Sequence, residues 1–353
     1  MSAVAELRPR EAPGLPLATA ARREGFLVAG SGSIGRRHLG NLRHLGEAGV
    51  TLYRTGLRDP AAPPVHAPAE FELEAALARQ PLAVLVCNPT AHHLELALAA
   101  ARAGAHLLIE KPLADSLEGT AELGHEVRAR ELVALVGFQY RFHPALREVK
   151  RWLEERAIGE VVSGSVRWGE HLPSWHPGED WRASYAARAD LGGGAIRTLC
   201  HPFDYLRWLL GEADWVTAEV SNQVLGLDVE DAAVVVLRFA SGAMVSVSLD
   251  YMQRPRDHRL ELVGTHGRIA WSDADGAAHL LLQDSARVTT FRPPPEFSRN
   301  TMFVEEMRHF LECLAGRARP VCQLADGVAA LEIAVAALES ARAGRRLRAR
   351  RRP

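Results

Sequence analysis

The chain has 353 residues, of which 47% are hydrophobic and 24% charged, and its formal net charge at pH 7 is −1. This composition is typical of a globular protein, and the length predicts two domains. The near-zero net charge gives no reason to expect a nucleic acid as a partner. No apolar run approaches the roughly 20 residues of a membrane span, so we expect no membrane partner. The cysteines lack CxxC spacing, so we predict no metal site and no disulfide framework, and we expect a cytoplasmic protein.

The first part of the chain alternates between apolar runs and helical stretches. Residues 1–23 are rich in Ala, Pro and Arg without an apolar signal core, which predicts a disordered tail. Continuous apolar runs separated by helices are typical of a doubly wound parallel sheet, which we predict over 24–140. The predicted strands are Phe26–Ala29, Val50–Tyr53, Leu82–Cys87, Ala105–Ile109 and Leu132–Val136. The predicted helices include Arg36–Leu45, His93–Ala103 and Ser116–Arg130.

The first strand runs directly into a Gly-Ser-Gly-Ser-Ile-Gly pattern, and a helix follows it. Gly30 permits the tight turn, Gly32 has no side chain to keep the backbone away from a pyrophosphate, and Gly35 lets the helix pack closely on the strand. The free N–H groups at the start of the helix would then face the phosphates. We predict a dinucleotide-binding (Rossmann) domain in which Ser33 and Ile34 also contact the cofactor; a glycine-rich turn without a ligand is the alternative.

The end of the second strand indicates which dinucleotide binds. An NAD site places an Asp or Glu about 20 residues after the glycines, where it accepts a hydrogen bond from the ribose 2′-hydroxyl. This chain has Arg54 and Thr55 there, and no acid before Asp59. Because an arginine pairs with a 2′-phosphate and cannot accept from a hydroxyl, we favour NADP over NAD, with both residues binding the cofactor. The alternative is that Arg54 is a solvated strand end.

Three further strand ends carry candidate residues, because ligands of open α/β sheets bind beyond the carboxyl ends of the strands. Lys111 follows the fourth predicted strand, so its ammonium would lie beside a nicotinamide. There it could hydrogen-bond a substrate hydroxyl and stabilise developing negative charge; a solvated loop lysine is the alternative. The other residues at these strand ends that we predict to bind the cofactor are Asn88, Pro89, Thr90, His92, Glu110 and Gln139.

Beyond residue 140 the pattern changes to runs that alternate apolar and polar residues. We predict an α+β substrate and oligomerisation domain over 141–340, whose mainly antiparallel sheet has one covered face and one open face that needs a partner. The predicted strands are Val161–Trp168, Trp215–Gln223, Ala232–Phe239, Ala243–Leu249, Arg259–Val263, Arg268–Trp271 and Ala278–Leu282. The predicted helices are Pro144–Arg156, Thr301–Ala315 and Leu324–Ala343. Residues 341–353 are arginine-rich, and we expect a solvated basic tail.

A triple glycine at 192–194 precedes a polar set at helical spacing. Thr198, His201 and Asp204 would lie along one face of a single helix. Histidine is the best-matched general base near neutral pH, so we predict that His201 is catalytic, with Asp204 or a backbone carbonyl orienting its ring. Thr198 would then contact the substrate. A histidine that serves only in packing is the alternative.

Residues 170–188 interleave aromatic, histidine, acidic and arginine side chains with two prolines. Aromatic rings stack on sugar faces, and the polar groups between them can bind hydroxyls or phosphate, so this segment is a candidate substrate site. A surface loop anchored by buried tryptophans is an equally good interpretation. The residues that we predict to bind substrate here are Trp175, His176, Arg182, Tyr185 and Arg188.

The glycine pattern, Asn88-Pro-Thr-Ala-His92, Glu110-Lys111-Pro112 and His201-x-x-Asp204 together resemble the Gfo/Idh/MocA oxidoreductase family over about residues 25–340. The resemblance implies a dinucleotide domain followed by an α/β domain with an open antiparallel sheet, through which members pair into homodimers or homotetramers. It also implies NAD(P)-linked oxidation or reduction of a sugar, cyclitol or nucleotide-sugar carbon. By that analogy Lys111 and His201 are the catalytic residues.

One position departs from the family pattern. Many members carry an aspartate four residues before this histidine, where this chain has Arg197. The assisting acid is therefore missing or is replaced from elsewhere, with Tyr185, Glu170 and Asp180 as candidates. Two other hypotheses follow from the family: an enzyme that uses tightly held NAD transiently to cleave or epimerise a sugar without net redox change, and a non-catalytic regulator that binds dinucleotide and a protein partner.

Overall fold

The computed structural model describes residues 25–54, 67–283 and 288–349. The predicted tail over 1–23 and the predicted cofactor contact Thr55 lie outside the described residues. The described chain folds into two sheets with helices packed on them. None of the helices in these ranges combines the length and the apolar character that crossing a bilayer requires.

The N-terminal sheet is built from buried apolar strands. Its strands are β1 (Phe26–Ala29), β2 (Val50–Tyr53), β3 (Ala69–Glu70), β4 (Ala83–Val86), β5 (His106–Glu110) and β6 (Ala134–Gly137). They pair in parallel in the order β3-β2-β1-β4-β5-β6. Every residue of β1, β4 and β6 is buried, as expected where helices cover both faces. The predicted doubly wound parallel sheet is confirmed, with the short β3 as an addition that the sequence did not reveal.

The connections of this sheet create a crevice. The connecting helices are α1 (Ser33–His44), α2 (Leu73–Ala78), α3 (His93–Arg102) and α4 (Thr120–Ala129). The chain runs outward from β1 to β3 and then returns to β4 on the other side of β1. The carboxyl ends of β1 and β4 therefore lie at the topological switch point, where ligands of open α/β sheets bind. Gly30 follows β1 and Asn88 follows β4, so both border this crevice.

The second sheet is mixed and mainly antiparallel. Its strands are β7 (Val161–His171), β8 (Ala213–Ser221), β9 (Ala232–Phe239), β10 (Met244–Asp250), β11 (Met252–Gly264), β12 (Gly267–Ser272), β13 (Ala278–Leu282), β14 (Val288–Phe291) and β15 (Leu347–Arg348). The order is β14-β13-β12-β11-β7-β10-β9-β8-β15, with β7 and β10 parallel. Along β9, Val235 and Leu237 are buried whereas Val234 and Val236 are exposed, so one face is covered and the other is open, as predicted.

The remaining helices cover the inner face of the second sheet and reach back to the first. They are α5 (Pro144–Glu154), α6 (Ala195–Thr198), α7 (His201–Leu210), α8 (Arg299–Leu314) and α9 (Leu324–Ala343). Helix α9 packs on α7 and β8. In contrast, Met307 and Phe310 of α8 join Phe26 and Val28 in the core of the N-terminal sheet. The predicted boundary near residue 140 falls between the two sheets. Helix α8 comes after this boundary in the chain but packs against the first sheet.

We expected 341–353 to be a solvated basic tail, and residues 350–353 lie outside the described residues. In the described part the arginine side chains are exposed, but α9 continues to Ala343 and β15 pairs with β8. The guanidinium groups of Arg346 and Arg348 lie 4.4 and 4.1 Å from the ring centroid of Trp215. Cation–π contacts and backbone pairing hold the described part of this arginine cluster against the sheet, which composition alone could not indicate.

A buried acidic cluster joins α1, β5 and α8. His38 Nε2 lies 2.7 Å from Glu110 Oε1, and both side chains are almost completely buried. Glu306 is fully buried, and neither of its carboxylate oxygens has a hydrogen-bond partner among the described residues. Burial, followed by the charges of Glu110 and Asp204, raises the pKa of Glu306 well above its usual value. A proton on Glu306 therefore lowers the charge that the folded protein must bury.

Replacing Glu306 by glutamine is expected to raise the thermal unfolding midpoint at pH 8. This increase should become smaller as the pH falls toward 5. Because the pKa of Glu306 is higher in the folded protein than in the unfolded chain, protonation of Glu306 favours folding. This contribution to stability is lost as the pH rises from the unfolded-state pKa to the folded-state pKa. Each kcal/mol gained corresponds to about 1–2 °C for a chain of this length. Calorimetry across this pH range measures the effect, with the exposed Glu296→Gln as control; a shift independent of pH would contradict the prediction.

Candidate active site

The three glycines of the first loop differ in what surrounds them. Gly30 has φ +112°, and a Cβ there would lie 2.6 Å from the carbonyl oxygen of Cys87. A Cβ on Gly35 would lie 2.0 Å from the carbonyl oxygen of Gly30, so the helix packs against the strand turn as the pattern predicts. A Cβ on Gly32 would meet nothing within 4 Å. The open space beside Gly32 is the place where a pyrophosphate can approach the backbone.

The start of α1 faces this open space. Gly32 is the N-cap residue, and no side chain caps the helix, so the first N–H groups of Ser33, Ile34 and Gly35 remain available to an anion. The first turn contains no acidic residue that would compete for them. Arg36 donates from Nη1 to the Ser31 carbonyl oxygen at 2.8 Å, and this bond ties the glycine loop to α1.

Arg54 lies at the end of β2, next to the strand that carries the glycines. Its guanidinium carbon lies 5.3 Å from the ring centroid of Phe71, and its backbone N–H donates to the carbonyl oxygen of Glu70. Its Nε is buried without a hydrogen-bond partner among the described residues. The side chain is therefore held at the rim of the dinucleotide crevice with a donor still to be satisfied.

The loop after β4 is fastened to the loop after β5. Asn88 Nδ2 donates to the carbonyl oxygen of His92 at 3.1 Å, while Asn88 Oδ1 is buried without a partner in the described part of the chain. The ring of His93, which the sequence analysis did not select, lies between the carbonyl oxygens of Asn88 and Pro112 at 2.8 and 2.9 Å. Of the turn residues predicted to bind the cofactor, Thr90 is buried and His92 is exposed.

Glu110, predicted as a cofactor contact, directs its carboxylate to His38 and to the backbone N–H of Lys111, the latter at 3.2 Å. Burial alone would raise the pKa of Glu110, but the hydrogen bond from His38 and the nearby Lys111 ammonium lower it overall. The carboxylate therefore remains ionised behind the strand end. In this position it places Lys111 and balances its charge.

Lys111 reaches across the crevice to the second domain. Its Nζ donates to the carbonyl oxygen of Thr198 at 2.8 Å. Burial alone would lower the pKa of Lys111, but the nearby acidic groups of Tyr185, Cys200 and Glu110 raise it overall. Lys111 is thus an ammonium at neutral pH, and it is held by the backbone carbonyl of Thr198.

A break between two helices frees that carbonyl and corrects the predicted single helix. Helix α6 ends at Thr198 and α7 begins at His201, so Thr198 does not share a helical face with His201 and Asp204. Pro202 in the first turn of α7 has no N–H to donate to the carbonyl four residues earlier, which is that of Thr198. The His-Pro dipeptide was the sequence signal for this break.

His201 lies at the start of α7 with its ring almost completely buried. The side-chain amide of Gln139, predicted as a cofactor contact, lies 3.3 Å from His201 Nε2, and His201 Nδ1 has no partner among the described residues. The rings of Tyr140 and Trp168 lie 4.9 and 5.5 Å from it, centroid to centroid. Burial, followed by the charge of Lys111, lowers the pKa of His201 well below its usual value, so the imidazole is neutral at pH 7.

The expectation that Asp204 orients His201 is wrong. Asp204 accepts three hydrogen bonds from Arg141, from Nε at 2.9 and 3.2 Å and from Nη2 at 2.6 Å. Arg141 Nη2 also lies 3.3 Å from the carboxylate of Asp326 in α9. This buried network fixes α7 between the N-terminal sheet and α9, and so places His201 through the helix and not through a contact with its ring.

The segment over 170–188 is divided in the structure. Tyr185 is close enough to Lys111 for each to shift the pKa of the other. Trp175 and His176 line a cavity of about 430 Å³ together with residues of the 178–184 segment. Arg182 and Arg188 are exposed; the first lies over the ring of Trp181 and the second pairs with Asp190. Tyr185 thus lies near Lys111, whereas the two arginines lie at the surface.

The position of the missing acid is occupied by an arginine that points elsewhere. Arg197 Nε donates to the carbonyl oxygen of Asp115 at 3.0 Å. Four other residues of the site were not predicted, and all four are aromatic or imidazole side chains behind the catalytic pair. They are Tyr140, Trp168, Tyr251 and His258. The apolar–polar alternation along β7 was the signal that could have placed Trp168 on the inner face.

These residues fit a dinucleotide. The open space at Gly32 and the uncapped helix would hold the pyrophosphate, and Arg54 lies where the adenosine ribose would bind. At the other end of the crevice, residues at the strand ends and beside His201 carry buried polar atoms without partners among the described residues. They are Asn88 Oδ1, Gln139 Oε1, Thr198 Oγ1 and His201 Nδ1. Such orphaned atoms are the ones that a polar ring and its substrate would satisfy.

Comparisons with known proteins agree with this geometry. Residues 25–138 match the oxidoreductase family with an NAD-binding Rossmann fold, and residues 146–270 match the GFO/IDH/MocA C-terminal domain. The chain is 30% identical to the scyllo-inositol 2-dehydrogenase (NAD(+)) of Bacillus subtilis over 277 residues, 74% of this chain and 76% of that protein. It is 30% identical to the levoglucosan dehydrogenase of Pseudarthrobacter phenanthrenivorans over 214 residues, 53% of this chain and 54% of the relative.

The chain thus spans about half the length of some curated relatives and three quarters of others. The fold is similar to that of a levoglucosan dehydrogenase in complex with NADH and levoglucosan, with a TM-score of 0.82 and 23% identity over 93% of this chain and 99% of that one. The two family matches together cover the first sheet, strands β7 to β11 of the second sheet, and both Lys111 and His201. The chain belongs to the Gfo/Idh/MocA oxidoreductase family.

Proposed function

We propose that this protein is an NAD(P)-dependent oxidoreductase that transfers a hydride between a nicotinamide and a hydroxyl or keto carbon of a sugar, cyclitol or nucleotide sugar. The observation that carries the proposal is the meeting of Lys111 and His201 across the two domains. The Lys111 ammonium, which follows β5, donates to the carbonyl oxygen of Thr198 at 2.8 Å, and Thr198 precedes His201 by three residues. The named activities of the relatives, which include inositol and levoglucosan dehydrogenases, support the same reaction class.

The charges of the two side chains suit this reaction. In the direction of oxidation, the neutral His201 accepts the hydroxyl proton, while the Lys111 ammonium hydrogen-bonds the same oxygen and stabilises its developing negative charge. A bound nicotinamide supplies the hydride chemistry. In reduction the same two groups act in reverse, with an imidazolium returning the proton. The aromatic wall of Tyr140 and Trp168 excludes water from this transfer.

The choice between the two cofactors rests on Arg54. A guanidinium with an unsatisfied donor at the end of β2 favours the 2′-phosphate of NADP, although the names of the relatives include NAD(+) and NADH. We expect wild-type protein to bind NADPH more tightly than NADH, and Arg54→Gln to weaken NADPH binding by about 10-fold while leaving NADH binding unchanged. Fluorescence titration of both reduced cofactors measures this. Tighter binding of NADH by the wild type would establish NAD as the cofactor.

The open face of the second sheet supports an assembly of identical subunits. Apolar side chains are exposed along it, and exposed patches of this kind mark interaction surfaces. They include Val234, Val236, Met244 and Val263. A homodimer or homotetramer through this face would cover them, and light scattering of the purified protein tests this. A cytoplasmic location stays a prediction.

The experiment that tests the proposed function is a substrate panel with the cofactor that binds. Levoglucosan, myo-inositol, scyllo-inositol, glucose and UDP-linked sugars are offered, and the nicotinamide absorbance is followed. We expect oxidation of at least one polyhydroxylated ring. Cofactor binding without turnover of any member would instead support the regulator hypothesis. Product formation with no net change in absorbance would support a transient use of the cofactor.

A further inference from the structure

Glu170 lies on the site-facing side of the second sheet. Side chains alternate along β7, so Val166, Trp168 and Glu170 project to the same inner face. Trp168 contacts His201, with ring centroids 5.5 Å apart. Glu170, two residues further toward the carboxyl end of the strand, lies on the same face as Trp168 and so on the side of the sheet that faces His201. It is ordered by the strand and not by the loop that follows it.

His258 on the neighbouring strand holds this carboxylate. It pairs with Trp168 across the β7–β11 ladder and stacks on it with ring centroids 3.8 Å apart and an interplanar angle of 7°. Its Nε2 lies 3.1 Å from Glu170 Oε1, off the direction of an aligned hydrogen bond, and its Nδ1 lies 3.7 Å from Asp273. The Glu170 side chain keeps 15% of its surface exposed. It is thus fixed in place and still accessible to a bound molecule.

Glu170 is charged, and it faces the groups that define the reaction centre. Burial would raise its pKa, but His258, Arg299 and Lys111 lower it overall, so it is a carboxylate at neutral pH. Its charge in turn acts on Lys111, Tyr185 and Tyr251. An ionised carboxylate is only an acceptor of hydrogen bonds, so it favours hydroxyl or amino groups on a ligand and repels anionic ones.

We infer that Glu170 binds a hydroxyl group of the substrate other than the one that is oxidised, with His258 as its positioning residue. The site therefore selects neutral, hydroxyl-rich rings over rings that carry a carboxylate. This inference rests on the proposed function and narrows its substrate class. Glu170 also supplies the site with a carboxylate, which position 197 does not provide because it is an arginine. This carboxylate comes from a different element, and we assign it to substrate binding and not to proton transfer.

The test measures binding of three probes to the protein saturated with its reduced cofactor. Levoglucosan and myo-inositol are the neutral probes and glucuronate is the acidic one, each titrated by calorimetry. We expect the wild type to bind at least one neutral probe at least 10-fold more tightly than glucuronate. Glu170→Gln is expected to weaken the neutral probes by about 10- to 100-fold, as for loss of a hydrogen bond to a charged group, and to shrink the discrimination against glucuronate.

Controls separate this role from a structural one. Glu160→Gln, an exposed acid just before β7, is expected to leave both affinities unchanged. His258→Gln is expected to raise KM in the same direction as Glu170→Gln with a smaller effect on kcat. An unchanged ratio of neutral to acidic affinity in Glu170→Gln would overturn the inference. A wild type that binds cofactor but no neutral probe would also overturn it, whereas failure to bind either cofactor would overturn the proposed function itself.

Discussion

Replacing Lys111 by methionine is expected to lower kcat/KM for polyol oxidation by about 100- to 1000-fold, the size of effect seen when a group that stabilises an oxyanion is removed. Methionine keeps the length and apolar stem of the side chain but removes the charge and the donor. The developing negative charge on the substrate oxygen would then lose the ammonium that stabilises it. Stopped-flow or steady-state kinetics with the preferred cofactor measure the loss.

Binding of the reduced cofactor to Lys111→Met should stay within a few-fold of wild type, because the pyrophosphate is held at Gly32 and the start of α1. Lys150→Met is the matched control, since Lys150 is the only other lysine in the chain and lies in α5, paired with Glu154. Full turnover by Lys111→Met would refute the catalytic assignment. Loss of folding, seen as a lowered unfolding midpoint, would show instead that the bond to Thr198 is structural.

Replacing His201 by asparagine is expected to reduce kcat for oxidation by about 100- to 10,000-fold, the range for removal of a general base. In the wild type, the rate of oxidation should fall only at low pH, because protonated His201 cannot accept a proton and its pKa is lowered by burial and by Lys111. The rate should therefore be flat from pH 6.5 upward. The asparagine variant should lack this acid limb. Rate profiles of both proteins over pH 5 to 9 provide the measurement.

The control for this substitution is His125→Asn, which alters an exposed histidine in α4 remote from the site. It should keep wild-type rates at every pH. If His201→Asn kept the wild-type profile, the base would have to be another group, and Tyr185 beside Lys111 would be the next to test. Loss of activity in His201→Asn with an intact acid limb would indicate that the limb belongs to the substrate or to another side chain.

Local patterns in the sequence predicted the N-terminal domain and its cofactor loop. A buried parallel strand must be apolar throughout, and a turn at φ +112° requires glycine, so both constraints are written in consecutive residues. The same holds for the open sheet, whose alternation of buried and exposed residues follows from the pleat of each strand. Placing Lys111 and Gln139 at strand ends then needed only the rule that parallel strands end at one edge.

Contacts between distant segments could not be predicted in this way. Lys111 meets a carbonyl 87 residues away, and Glu170 is held by a histidine from another strand. The prediction that Asp204 orients His201 failed for the same reason, because Arg141, 63 residues earlier, takes both carboxylate oxygens. Spacing along a chain says which side chains share an element, but not which groups the packing of two elements will bring within hydrogen-bond distance.

The sequence by itself therefore determined the parallel sheet, the glycine turn and the residue types at its edge, since each depends on the conformation of a few neighbouring residues. The tertiary structure decided which of those residues form the site. In the tertiary structure Thr198 lies outside the helix of His201, and α8 packs on the first sheet. The described part of the arginine-rich segment contacts Trp215. These outcomes follow from burying large apolar surfaces and satisfying buried polar groups across the whole molecule, a balance that no local window of sequence contains.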